Sequence, residues 1–363
     1  MASPAILMLE NEEPFFGRAM GHEGAARGMM VACGFAAGFP DLLTDPSYAG
    51  KIVCFTYPHV GNAGVVPDDL QSDRVAARAV IAKEFSRIKA NRLGVETMDE
   101  FLKRQEIPAI EGIDTRTVTE IVARRGMVRA VLGCGKFADA KKLAKEFAKP
   151  DEAWAIPSGG TTHPYEWKEG AVGSPKFKVV VHDFGVKKGF LRRLAGSGCK
   201  VTVVPAGYPA DKTLADNPDG VVFSAGSGVP DRRLDALPAA NGLIGKVALW
   251  GVGVGAGVLA TAAGATIVVN GRGHFGVHPV GRPGGPSGEM TTQCREFWIE
   301  GESLPAAGLT QTHYHLNDGS VEGFKCDARR LMGQLFHPEA EPGPRDSLYL
   351  FDRFLKLMMA ARK

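Results

Sequence analysis

LWGVGVGAGVLATAAGA, residues 249–265, starts as an apolar run, breaks into alternating glycines and continues into small helix-forming residues. This reads as a buried strand, a tight turn and a helix, the arrangement that presents a nucleophile or a phosphate at the carboxyl end of a parallel strand. The turn itself, Gly251 to Gly257, holds no nucleophile. Working outward, apolar runs alternate with helical ones from residue 176 onward: KFKVVVHDFG, VKKGFLRRLAGSG, CKVTVVPA, DGVVFSAG and KVALWG. Unbroken Val-rich strands with helices between them predict a parallel sheet covered on both faces. Functional loops then belong at the strand ends HDFG (182–185), SAGSG (224–228) and GVGVG (251–255).

The chain upstream is patterned differently. Residues 1–150 carry short strand-like runs, PAILMLE and GKIVCFTY, and helical stretches, MDEFLKRQ and TRTVTEIVARRG, which predict a compact α+β domain. Residues 151–175 are rich in Pro, Gly, Ser and Trp without periodicity and are expected to be a linker, leaving 176–363 as the α/β domain. A length of 363 residues exceeds one ordinary core, which agrees with two domains.

Composition excludes several classes. Hydrophobic residues at 44% and charged residues at 23% are globular values. The net charge of +3 is small, and the basic doublets Lys187-Lys188, Arg192-Arg193 and Arg232-Arg233 lack interleaved aromatics, so no nucleic-acid partner is expected. The most apolar stretch, 247–269, is too broken by glycine to span a bilayer. Six cysteines without CxxC spacing, and first residues unlike a secretory leader, point to reduced thiols and a cytoplasmic location.

The most specific string is GQLFHPEAEPGPRDS, 333–347. A strand running into His337-Pro338-Glu339 sets an imidazole at a sheet edge with a carboxylate two residues on to orient it, as a general base requires. With this string the chain resembles the small subunit of carbamoyl-phosphate synthase, a class I glutamine amidotransferase family, nearly end to end. The likeness is carried by LLTDPSYAGKIVCFTYPHVGNAG (42–64), IEGIDTRTVT (110–119), VVVHDFGVKKGFLRRL (179–194), NPDGVVFSAGSGVP (217–230) and GHFGVHPV (273–280). The resemblance implies an α/β protein: an N-terminal α+β domain peculiar to that subunit, then an amidotransferase domain with a central, mostly parallel sheet.

In that family a Cys thiolate on the elbow, activated by His and Glu, attacks the glutamine side-chain amide, while glycine-loop amides hold the oxyanion. The ammonia released passes to a large ATP-grasp subunit that feeds arginine and pyrimidine precursors. The resemblance therefore implies a large-subunit partner that carries ATP and Mg, no cofactor in this chain, and compatibility with oligomers of heterodimers.

The family elbow reads approximately G-I-C-L-G-H-Q, so Gly253 takes the nucleophile's position, while Ala256 and Gly257 replace its His and its glutamine-contacting Gln. His337 and Glu339 match the base and its partner. Ser47, Gly226, Gly228 and Val254 match substrate or oxyanion positions. The family's QNHGF segment is QCREF, which puts Cys294, Arg295 and Glu296 ahead of Phe297. Several losses in one pocket lead to the expectation of a glutaminase-dead subunit whose complex depends on ammonia. Two alternatives are a binding module for another metabolite, suggested by Arg295 and Glu296, and a hydrolase using Cys294.

Two further readings are set aside. Gly251, Gly253 and Ala256 fit a dinucleotide fingerprint, but the next strand ends without the acidic residue that takes the ribose hydroxyls. His274, His278, His313 and His315 invite a zinc site, yet their spacing lacks clustered Cys, Asp or Glu partners, so no metal is expected.

Overall fold

A computed structural model describes residues 3–156, 159–285 and 288–362 and divides into two compact units, Met1–Pro157 and Ser158–Lys363. In the first unit seven strands close into a barrel: β1 (Pro4–Leu9), β2 (Phe15–Gly21), β3 (Ala25–Cys33), β4 (Lys51–Phe55), β5 (Ala79–Ala82), β6 (Pro108–Glu111) and β7 (Val128–Cys134), in the order β1-β2-β6-β5-β4-β3-β7. Pairings β3/β4, β4/β5 and β5/β6 are parallel and the others antiparallel. Leu7, Met30, Ile52, Ile81, Ile110 and Leu132 belong to its buried core, and closure leaves no sheet edge to protect. Helix α1 (Thr115–Arg125) lays Val118 and Ile121 into the same core. It starts at Asp114, whose carboxylate accepts the backbone N–H of Arg116 at 3.0 Å and of Thr117 at 3.1 Å, a cap that explains the acid in IDTRTVT.

Residues 151–175 are more than connector. Asp151–Trp154 forms a 3₁₀ turn that buries Trp154 with Ile6, Val131 and Leu143 of the first unit. Strand β8 (Tyr165–Trp167) pairs antiparallel with a strand of the second. Aromatic anchors, Trp154 and Trp167, give these residues partners that a reading by periodicity does not register.

The second unit is built on ten strands: β8, then β9 (Phe177–Phe184), β10 (Cys199–Pro205), β11 (Gly220–Gly226), β12 (Ala248–Val252), β13 (His274–Gly281), β14 (Glu289–Arg295), β15 (Thr310–His315), β16 (Val321–Cys326) and β17 (Leu331–Gln334). Their spatial order is β8-β10-β9-β11-β12-β17-β16-β15-β13-β14. The five strands β10-β9-β11-β12-β17 run parallel, and the remainder is antiparallel.

Alternation along β9 shows why the Val runs are continuous. Val180 and Phe184 face one core with helices α3 (Leu237–Leu243) and α4 (Val254–Ala263). Val179 and Val181 face another with α2 (Lys188–Gly196) and α5 (Tyr349–Ala361). Both faces of the parallel strands are buried, so neither needs polar residues. Among the described residues no helix is long and apolar enough to cross a membrane.

Candidate functional site

The parallel strands end together, and the loops at those ends carry Gly226, Gly228, Gly253, His337 and Glu339. β12 stops at Val252 and α4 starts at Val254, with Gly253 between them at φ 53° and ψ −123°. That conformation suits glycine and strains any L side chain, which is how a nucleophile elbow exposes its residue. The Gly253 N–H donates to the carbonyl of Gln334 at 2.8 Å, tying the elbow to the end of β17.

The neighbouring glycines are set by close approach. A Cβ on Gly255 would overlap the Phe223 carbonyl oxygen, so α4 lies against β11 backbone to backbone. A Cβ on Gly257 would overlap Cγ of Pro230 and stand 2.8 Å from the Phe297 ring. Where the resemblance implies a glutamine-contacting Gln, Pro230 and Phe297 fill the space. At Gly253 itself a Cβ would lie 3.1 Å from Cβ of Ala225, tight but open to a shift of a few tenths of an ångström.

His337 lies three residues beyond β17, its N–H donating to the Thr292 carbonyl at 2.9 Å. Its Nδ1 is 3.1 Å from Oε1 of Glu339, and both side chains are buried. Lys187, also fully buried, sets its ammonium 2.9 Å from the same Oε1 and donates to the carbonyls of Ala340 at 2.5 Å and Glu341 at 3.0 Å. Burial alone would raise the Glu339 carboxyl. The Lys187 ammonium and then the His337 imidazole outweigh it and hold the group at about 2. Ala340 and Glu341 sit at φ 63° and 53°, a left-handed pair that folds their carbonyls onto Lys187.

Sequence reasoning counted Lys187 only as half of a basic doublet. Its signal was positional: it follows HDFG at a parallel strand's carboxyl end. Asp183 in that turn accepts the N–H groups of Gly185 at 2.8 Å and Val186 at 2.7 Å, which shapes the entry into α2.

The other matched residues are placed as follows. Gly226 ends β11, where a Cβ would overlap the Phe184 carbonyl oxygen, and Gly228 stands at φ 90° with open space around it. Val254 and Phe297 are buried in the core around α4. Cys294 is buried on β14 opposite Phe275, and Glu296 is buried just past the strand end. Ser47 is buried in the 3₁₀ turn Pro46–Tyr48 of the first unit, where its N–H donates to Asp45 at 2.8 Å.

Arg295 does not reach toward an open pocket. Its guanidinium donates to Glu322 at 2.6 Å and to the Phe297 carbonyl at 2.6 Å, entirely buried, and stacks over Trp298. The suggestion that Arg295 recognises a new metabolite loses its basis.

The histidines are also arranged otherwise than their spacing implied. His313 stands apart, 2.9 Å from the Tyr349 hydroxyl, whereas His274, His278 and His315 bring one nitrogen each to within 4.8 Å of one another. The carboxylates that the sequence did not place near them are there: Asp318 lies 2.9 Å and Glu322 3.2 Å from His274. They arrive from β16 and the turn before it, which the fold brings within reach of His274 from across β15.

Comparison with known proteins agrees on both units. Residues 7–132 match the CPSase domain of the carbamoyl-phosphate synthase small chain, and residues 180–357 match the class I glutamine amidotransferases. The chain is 36% identical to the carbamoyl phosphate synthase small chain of Syntrophotalea carbinolica, over 99% of both chains. It is 36% identical to that of Thermosynechococcus vestitus, over 100% of this chain and 98% of the relative. With that of Yersinia pestis it shares 37%, over 100% of this chain and 97% of the relative.

Proposed function

The chain belongs to the carbamoyl-phosphate synthase small-chain family, and from that premise we propose that it serves its complex without hydrolysing glutamine. The observation that carries this reading is Gly253 at the elbow. A thioester needs a sulfur or oxygen nucleophile at that position, and glycine offers neither. The filling of the space beside Gly257 by Pro230 and Phe297 supports it independently, because a restored thiol would still lack its substrate-binding neighbour.

The large subunit, with ATP and Mg, then forms carbamoyl phosphate from free ammonia for arginine and pyrimidine precursors, in the cytoplasm. This chain contributes the contact surface that holds the large subunit in its working state. The test is to purify the chain with its large partner and compare carbamoyl phosphate formation from glutamine and from ammonium. Ammonium is expected to support it and glutamine not. Efficient use of glutamine, abolished by His337→Ala, would overturn the proposal.

A related expectation concerns the remaining thiol near the site. A nucleophile must sit beside both its base and its oxyanion donors; β14 is bridged to His337 at Thr292 but is the far edge of the sheet, whereas the elbow follows β12. A glutamine-analogue electrophile is therefore expected to leave Cys294 unlabelled in the native complex, read by mass spectrometry of its peptide. Stoichiometric labelling there would favour a relocated hydrolase instead.

A further inference from the structure

We propose that His274, His278 and His315 form a binding site for a zinc-class divalent cation, with the cation held by three imidazole nitrogens and a fourth position open toward Asp318. His274 and His278 lie four residues apart on β13, and so on one face of it, while His315 ends the adjoining strand β15, paired with Val280. Nδ1 of His278 is 3.1 Å from Nε2 of His315. Two imidazoles on one tetrahedral zinc, with Zn–N near 2.05 Å, hold their nitrogens about 3.3 Å apart. The spacing already suits a shared cation, and loading replaces the hydrogen bond between the two rings and turns both lone pairs onto the metal. Ring centroids of His274 lie 4.6 Å from His278 and 4.1 Å from His315, and one nitrogen of each ring lies within 4.8 Å of the others, so the third donor closes by up to about 1.5 Å to share the cation.

Each ring also has an anchor on its other nitrogen, the arrangement that orients metal-bound histidines. Nδ1 of His274 faces Oε1 of the buried Glu322 at 3.2 Å and Oε1 of Gln293 at 3.0 Å. Nε2 of His278 faces the Phe275 carbonyl at 3.3 Å, and Nδ1 of His315 faces Oδ1 of Asp318 at 3.4 Å.

Loading replaces the hydrogen bonds of His315 with His278 and of His274 with Asp318, and two further contacts set the tautomers against it. An Arg295 N–H points at Nδ1 of His274 from 2.9 Å, and the Asn317 N–H donates to Nδ1 of His315 at 3.2 Å. In the metal-free network these favour a proton on Nε2 of both rings, with His274 giving its own to Oδ2 of Asp318 at 2.9 Å. Loading moves each proton to Nδ1, toward Glu322 and Asp318 respectively. Charge permits this: Glu322 and Asp318 outweigh the single Arg295, leaving one net negative charge around the site before the cation enters. His278 is partly exposed and Asp318 half-exposed, which leaves an entry path.

The test is titration of the complete chain with Co²⁺, followed by displacement with Zn²⁺. One equivalent of Co²⁺ is expected to produce the intense visible bands of a tetrahedral site, with affinity falling roughly 100-fold or more in His315→Ser and in His278→Asn. Long-range ¹H–¹⁵N spectra of the unaltered chain with Zn²⁺ are expected to show His274 and His315 changing tautomer, while His182, His313 and His337 stay fixed. This second measurement needs no variant and stands if a substitution fails to fold. Absence of the cobalt bands, bands that survive both substitutions, or zinc shifts confined to His22, His59 or His163 would each overturn the site.

Discussion

Lys187→Met is expected to destabilise the second unit by about 3–5 kcal/mol, because it leaves the fully buried Glu339 carboxylate without its cation. In calorimetry that corresponds to a fall on the order of 10 °C in the unit's unfolding midpoint. Adding Glu339→Gln removes the stranded charge and is expected to return most of the loss. A single variant that unfolds within 2 °C of the parent would refute the argument. The same pair sets a pH dependence. Glu339 has a folded-state pKa below its ordinary value of 4.5, so its ionisation stabilises the fold fully above about pH 4.5. That contribution is lost as pH falls from 4.5 toward 2. Urea midpoints between pH 5 and 3 should drop more steeply in the parent than in Lys187→Met/Glu339→Gln.

This ion pair also gives His337 and Glu339, the residues matched to a catalytic base and its partner, a structural reason to stand beside Gly253. Lys187 joins the start of α2 to the carbonyls of Ala340 and Glu341 through Glu339, so the 337–341 loop is part of the packing whatever chemistry the site performs. Retention of His337 and Glu339 is thus weak evidence for hydrolysis.

Gly255→Ala is expected to cost about 3 kcal/mol or more, since its Cβ meets a backbone carbonyl that no rotamer change can move. Gly253→Ala is expected to cost less, about 1–2 kcal/mol, as the left-handed backbone is disfavoured but Ala225 can yield. Thermal unfolding of the two variants side by side checks the ranking; equal losses would mean that α4 can lift off β11. Gly253 is then the more replaceable of the two, although under the proposed function it holds the position that decides the chemistry.

The parallel half of the fold was legible because strand length, Val content and intervening helices all follow from burial on both faces. The barrel was not. Closure depends on β1 meeting β7, Ala5 opposite Cys134, across nearly the whole of the first unit, and no local pattern encodes so long a pairing. In the site, Gly253, His337 and Glu339 stood out through motif spacing, whereas Lys187 and the histidine cluster did not. Each depends on side chains from distant strands converging, His274 on Glu322 and Lys187 on Glu339, and spacing along the chain carries no record of that convergence.

The packing of Pro230 and Phe297 against Gly257 gives the elbow a direction in evolutionary time. Placing a thiol at position 253 takes one substitution, yet placing a glutamine-sized residue at 257 also requires Pro230 and Phe297 to change with it. Taken singly, a larger residue at 257 collides and a smaller one at 297 opens a cavity, and each intermediate is less stable than the present chain. Under the proposed function the pocket therefore acts as a ratchet, since a restored thiol alone would not restore a place for glutamine.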